Sequence, residues 1–163
     1  MTIACSGTTI RTATFADIPA IVQLVNAAYA IETFFGGTRT DAKAVAELME
    51  KGEFLVAESA SGRLLACVYT EVQGERGYFG MLAVEPSRQG SGLGRRMVGA
   101  AEEFCRNHGC KWVDITVLSL RPELLPLYRK LGYSETGTEA FHPPQSREVG
   151  VACHLIVMSK GLS

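Results

Sequence analysis

No excess of one charge sign runs through this chain: 16 basic residues stand against 17 acidic ones, a formal charge of −1. Bulk binding to nucleic acid or to an anionic membrane needs a broad positive field, so both are excluded. No segment approaches about 18 uninterrupted apolar residues, and the first residues carry neither a basic n-region nor an apolar h-region. A membrane span or export signal is therefore not expected, and the chain reads as cytoplasmic. Cysteines are few and odd in number (Cys5, Cys67, Cys105, Cys110, Cys153), with no CxxC pair and no histidine at zinc spacing. Free thiols packed as small core residues are expected, with no metal site. Repeats, low-complexity runs and linkers are missing too, so 1–163 is read as a single domain, long enough to bury a core. Its 47 % hydrophobic and 20 % charged residues are ordinary for a globular chain.

What is present concentrates in residues 78–109. An apolar strand (78–84) meets a turn at Glu85-Pro86, and the basic loop Arg88-Gln89-Gly90-Ser91-Gly92-Leu93-Gly94 leads into a helix. In that helix Leu93, Met97, Ala100, Ala101, Phe104, Cys105 and His108 form an apolar stripe, with Arg95, Arg96, Glu102, Glu103 and Arg106 largely off it. Strand, glycine loop and helix together turn free backbone N–H groups and the positive helix end toward an anion. Gly90, Gly92 and Gly94 let a bulky phosphate approach the backbone, while Arg88, Arg95 and Arg96 add mobile positive charge. The chemistry is that of a pyrophosphate cradle. No Lys follows the glycines, as a Walker loop requires, and their spacing of two differs from the dinucleotide fingerprint.

Gln89-Gly90-Ser91-Gly92-Leu93-Gly94 resembles the Q/R-x-x-G-x-G/A signature of the GNAT N-acetyltransferase superfamily. The preceding Met81-Leu82-Ala83-Val84-Glu85-Pro86 looks like that family's strand before the loop, and Leu127-Tyr128-Arg129-Lys130-Leu131-Gly132-Tyr133 looks like its FYxKxGF segment. The likeness is close over residues 63–133 and holds by pattern on the flanks. It implies acetyl-CoA as the cofactor and says little about the acceptor.

The remaining elements fit an α/β fold with a mixed sheet, in the order β-α-α-β-β-β-α-β-α-β-β, and helices on both faces. A first strand covers 8–14. Asp17 is expected to cap a helix with Pro19 in its first turn and Ile18, Ile21, Val22, Val25, Ala28 and Tyr29 inward. Residues 30–39 break the period at Gly36-Gly37, and Thr40 is expected to cap a second helix ending at Lys51-Gly52. Strands follow at 53–58 and 63–72, the second apolar on both faces and so covered on both. Gly80, a poor strand residue, marks a bulge or close backbone approach. In the family a bulge here splays two strands, and the pantetheine arm enters the gap. A buried strand (111–118), a short helix from Pro122 containing Pro126, and strands at 133–139 and 151–159 complete the chain, with a polar loop at 140–150.

Transfer of an acetyl group from a thioester to an amine needs a neutral amine, a donor for the developing oxyanion, and a proton for the departing thiolate. Tyr128 matches the family's tyrosine acid; a tyrosine on a short helix also packs as an ordinary core aromatic. The resemblance places the oxyanion donor at the backbone N–H of Leu82 or Ala83, with Val84 continuing the cofactor-binding edge toward the loop. For the base, Glu71 acts directly or through water, or water acts alone; Glu32 and His142 are weaker candidates. Two positions depart from the family: Tyr78 stands where some members carry a glutamate, and Arg121 where asparagine often contacts pantetheine. Arg121 either joins Glu123 in a salt link or reaches the cofactor. Acceptor recognition is expected from residues 29–40, the end of the 63–72 strand and the 140–150 loop, with Tyr29, Phe34, Phe35, Tyr69 and His142 lining an apolar cleft. A small-molecule primary amine is the expected substrate, to a monomer or homodimer. A protein N-terminus or lysine is the alternative acceptor, and an idle acyl-CoA sensor the non-enzymatic one.

Overall fold

Leu65 to Thr70 are all buried, and a strand apolar on both sides has to be covered on both. In the computed structural model, which describes residues 7–143, 147–149 and 152–163, that strand is β4 (Leu64–Gln73). It lies inside a seven-stranded sheet of order β1-β3-β4-β5-β6-β9-β7. The other strands are β1 (Thr9–Thr12), β3 (Glu53–Glu58), β5 (Arg76–Val84), β6 (Trp112–Leu118), β7 (Ser134–Ala140) and β9 (His154–Gly161). All neighbouring strands run antiparallel except β5 and β6, which are parallel.

Side chains alternate across β4 and divide the core in two. Cys67 and Tyr69 pack with Ile21, Leu24 and Val25 of α1 (Ile18–Tyr29) and Val45 of α2 (Ala42–Lys51). Ala66 and Val68 pack on the opposite side with Leu93, Met97, Ala101 and Cys105 of α3 (Leu93–Asn107), joined by Leu124, Leu125 and Tyr128 of α4 (Leu124–Lys130). The expected order of elements and the helices on both faces are found. An addition is a small antiparallel pair, β2 (Phe35–Gly37) with β8 (Arg147–Val149), which a three-residue strand with two glycines does not announce. The start of the strand expected at 151 and part of the 140–150 loop lie outside the described residues. The four described cysteines are free thiols, and among the described residues no helix is long and apolar enough to cross a membrane.

Asp17 stands at the expected N-cap position of α1 but does not cap it through its side chain, and the cap expected at α2 is corrected. Asp17 precedes α1, but its carboxylate accepts from the Thr14 N–H at 2.8 Å and from Arg11 at 2.8 and 2.9 Å, closing the short 3-10 turn Phe15–Asp17 instead. The Arg11 guanidinium holds that carboxyl down to about 2. At α2 the cap is Asp41, whose Oδ1 accepts from the Ala44 N–H at 2.8 Å. Thr40 is buried one residue earlier, its backbone clasped by the Asn26 amide at 2.9 and 3.1 Å. A further correction concerns Glu102, expected off the apolar stripe of α3 yet buried. The Tyr133 hydroxyl donates to it at 2.7 Å and Lys160 Nζ at 3.1 and 3.2 Å, so its charge is countered inside the core.

Candidate active site

The parallel ladder between β5 and β6 has three rungs, Arg76–Trp112, Gly77–Val113 and Tyr78–Asp114, and then stops. Beyond it β5 is bent by a bulge. Cys67 faces Ala83 and Tyr69 faces Gly80, leaving Met81 and Leu82 together opposite Val68. Met81 takes a φ of 49°, unusual for a side chain of its size. The bulge expected at Gly80 is thus centred one residue later, and Gly80 serves a second need. A Cβ there would lie 2.3 Å from the Tyr78 hydroxyl oxygen, so only glycine lets that ring lie against the strand.

The parted strands bound a cleft of about 360 Å³. Tyr78 to Leu82 form one wall and Ile115 to Leu118 the other, with Tyr128, Arg121 and Leu124 on the α4 side. Tyr29, Glu32, Phe35, Arg39, Phe141 and His142 close the remainder. Of the expected acceptor residues, Tyr29, Phe35 and His142 line this cleft. Phe34 stacks edge-on against Phe35, with ring centres 4.8 Å apart. Tyr69 and Glu71 line an adjoining cavity of about 320 Å³, and Glu71 also lines another of about 490 Å³. The Glu71 carboxylate accepts from the Tyr69 hydroxyl at 2.7 Å and from the Gln73 amide at 3.4 Å. Tyr78 borders all three spaces.

Tyr128, Tyr78 and Arg121 contribute to the cleft's electrostatics. Tyr128 is half-buried, its ring 6.3 Å from Phe79 and 6.0 Å from Tyr133, and its hydroxyl makes no hydrogen bond among the described residues. Burial pushes its phenol up to about 12, against the pull of Arg121, so the proton stays on at neutral pH. Tyr78 is likewise raised by burial, opposed by a hydrogen bond with Thr116; a neutral phenol cannot remove a proton as the family glutamate would. Arg121 reaches both Glu32 and Glu123 at 2.8 Å, stitching the segment after α1 to the segment before α4. Arg121 thus makes the expected salt link with Glu123, and it also lines the cleft.

At the end of β5 the glycine loop begins. Gly90 (φ 83°) and Gly92 (φ 86°) are left-handed, a conformation that side chains rarely adopt. Gly92 opens α3 with no side-chain cap, and the first turn holds no acidic residue. Gln89 Nε2 donates to the Val84 carbonyl at 3.2 Å, tying the loop to the strand that walls the cleft. Arg88, Arg95 and Arg96 are exposed, with no carboxylate partner among the described residues. Uncapped N–H groups, left-handed glycines and unpaired guanidiniums fit a diphosphate. Ala83 is buried in the α1 side of the core, and Leu82 lines the cleft.

Arg39 and Phe141 are cleft residues that the sequence reading missed. Arg39 lies in the 29–40 segment already singled out, but a charged loop residue is read by default as solvent-facing. Glu32, one of the weaker candidates for the base, is buried, and Arg121 is placed beside it.

The GNAT acetyltransferase family model matches residues 20–133. Over 94 residues the chain is 29 % identical to the mycothiol acetyltransferase of Propionibacterium freudenreichii, a match taking in 55 % of this chain and 30 % of that protein. The chain thus spans under a third of that relative's length. Among solved structures, the ribosomal-protein-S18-alanine N-acetyltransferase of Escherichia coli superposes with a TM-score of 0.72 at 22 % identity, over 96 % of this chain and 94 % of that one. The protein yncA of Salmonella typhimurium, solved with its cofactor acetyl-CoA, superposes with a TM-score of 0.70 at 21 % identity, over 97 % and 95 %. At these identities the likeness is one of fold.

Proposed function

This chain belongs to the GNAT acetyltransferase family, and from that premise we propose that it transfers the acetyl group of acetyl-CoA to the primary amine of a small molecule by direct attack in a ternary complex. The observation that carries the reading is the ending of the β5–β6 ladder after Tyr78, which opens a cleft lined by Leu82 and Tyr128, on a strand that runs on into the glycine loop and the uncapped start of α3. Bound acetyl-CoA supplies an activated acyl carbon and a thiolate leaving group. Arg88, Gln89, Gly90, Ser91, Gly92, Leu93, Gly94 and Arg95 would hold its diphosphate. Leu82, Ala83 and Val84 would line the arm, with a backbone N–H at Leu82 or Ala83 meeting the developing negative charge.

In the transfer the amine nitrogen bonds to the acyl carbon as the carbon–sulfur bond breaks. The nitrogen gives up one proton and the sulfur gains one. Tyr128, which lines the cleft and whose phenol is protonated at neutral pH, is assigned the second proton. Tyr78 cannot take the first, so Glu71 or a water is left to do so; Glu71 would act across the Tyr78 boundary between cavities.

Free-CoA release against a panel of amines tests the activity. Ser91→Glu tests the cradle: its carboxylate would face a diphosphate, and CoA affinity measured by calorimetry should fall about tenfold or more, since ~1.4 kcal/mol of repulsion suffices. Thermal stability should hold, because an acidic residue is favourable before the first turn of a helix. Unchanged affinity would remove the diphosphate from this loop.

A further inference from the structure

Among the described side chains the arginines divide into two groups. Arg11, Arg63, Arg76, Arg106, Arg121 and Arg129 each pair with a carboxylate. Among the described side chains, Arg88, Arg95, Arg96 and Arg39 do not. The first three surround the diphosphate cradle assigned above and stand exposed in water. Arg39 is different: it is half-buried, its guanidinium stacked 5.2 Å from the Tyr29 ring centre, and it lines both the cleft and the adjoining cavity beside Gly80 and Met81. A partly desolvated charge without a counter-ion is unfavourable, and such a charge is normally completed by an anion.

The acidic groups around it are engaged elsewhere. Glu32 is held by Arg121, and Glu71 takes the Tyr69 hydroxyl and the Gln73 amide. The Tyr29 ring covers one side of the guanidinium, whose fork of N–H donors matches a planar two-oxygen acceptor such as a carboxylate and repels an ammonium. Gly80 and Met81, at the bulge, border the same space, so an anion on Arg39 brings an attached amine close to the strand gap.

We propose that Arg39 determines acceptor specificity by binding the carboxylate of an amino acid whose amine is then acetylated. This rests on the acetyl-CoA reading above and narrows it: the acceptor is an amine bearing an acid group, and polycationic amines are excluded.

The test compares matched acceptors, phenylalanine against phenylalaninamide and methionine against methioninamide, with spermidine as the polycation. Loss of a charge-assisted pair in a partly buried site corresponds to about 10- to 100-fold, so the wild type should prefer each acid by that factor in kcat/KM. The amide's amine is less basic and more of it is neutral, so reactivity alone would favour the amide. Arg39→Gln should shrink the acid-to-amide ratio at least about tenfold, mainly by raising KM for the acid, and Arg39→Lys should restore part of it. CoA affinity of each variant reports whether fold and cradle survive. Preference for amides or spermidine, equal losses on acid and amide, or a protein that binds CoA yet acetylates no amino acid would each overturn the proposal. Failure to bind CoA strikes instead at the reading beneath it.

Discussion

Tyr128→Phe is expected to lower kcat by about 10²-fold or more while CoA affinity changes by no more than about twofold. The substitution removes one oxygen. The ring contacts with Phe79 and Tyr133 at 6.3 and 6.0 Å remain, so packing and cofactor grip should survive. Stopped-flow turnover and calorimetry on the same preparation separate the two effects. The pH profile adds a second reading. The useful form of Tyr128 is the protonated one, and burial lifts its phenol to about 12, so that form persists throughout the working range and is lost only as pH climbs toward that value. The variant should therefore lower the rate by the same factor at every pH between about 6 and 10. Turnover at the wild-type level would assign the proton to another donor.

The second large effect falls on stability. Glu102→Ala should lower the unfolding free energy by about 3 kcal/mol, at the low end of the range for breaking a buried pair because Lys160 keeps some exposure. For a chain of this length that corresponds to a fall of roughly 6–12 °C in Tm by calorimetry. The Tyr133 hydroxyl and Lys160 Nζ would both lose the carboxylate they now share at 2.7 and 3.1 Å. Glu102→Gln keeps an acceptor for Tyr133 and should fall between wild type and alanine. If alanine proves as stable as glutamine, the hydrogen bond from Tyr133 contributes nothing, and packing of α3 alone holds the region.

The sequence carried the local half of this fold well. Periodicity in α3, the turn glycines at 90–94 and the doubly apolar β4 each follow from neighbouring residues, so each is legible in the sequence. Gly80 pointed to the bulge for the same reason. What escaped depends on partners far along the chain. Glu102 reads as a surface residue until Lys160, 58 positions away, is set beside it. Arg39 reads as loop charge until the Tyr29 ring and the bulge close around it. Thr40 and Asp41 are both competent caps, and the Asn26 clasp on Thr40, invisible locally, leaves the cap to Asp41. The role expected of Tyr128 came from the resemblance, because no spacing rule links positions 90–94 to 128.

The short ladder has a mechanical meaning as well. Three rungs are the strand-to-strand tie between one leaf, β1-β3-β4-β5, and the other, β6-β9-β7. They are riveted by the Arg76–Asp114 pair at 2.6 and 2.8 Å and by Arg76 lying 5.5 Å over Trp112. From that hinge Phe79 to Val84 extends as a lever of ~20 Å. A scissoring of ~5° at the rivet therefore shifts the far tip by ~1.7 Å, about half the reach of a hydrogen bond. The mouth of the cleft is thus sensitive to the angle held at the closed end of the ladder, where Arg76 and Asp114 pair.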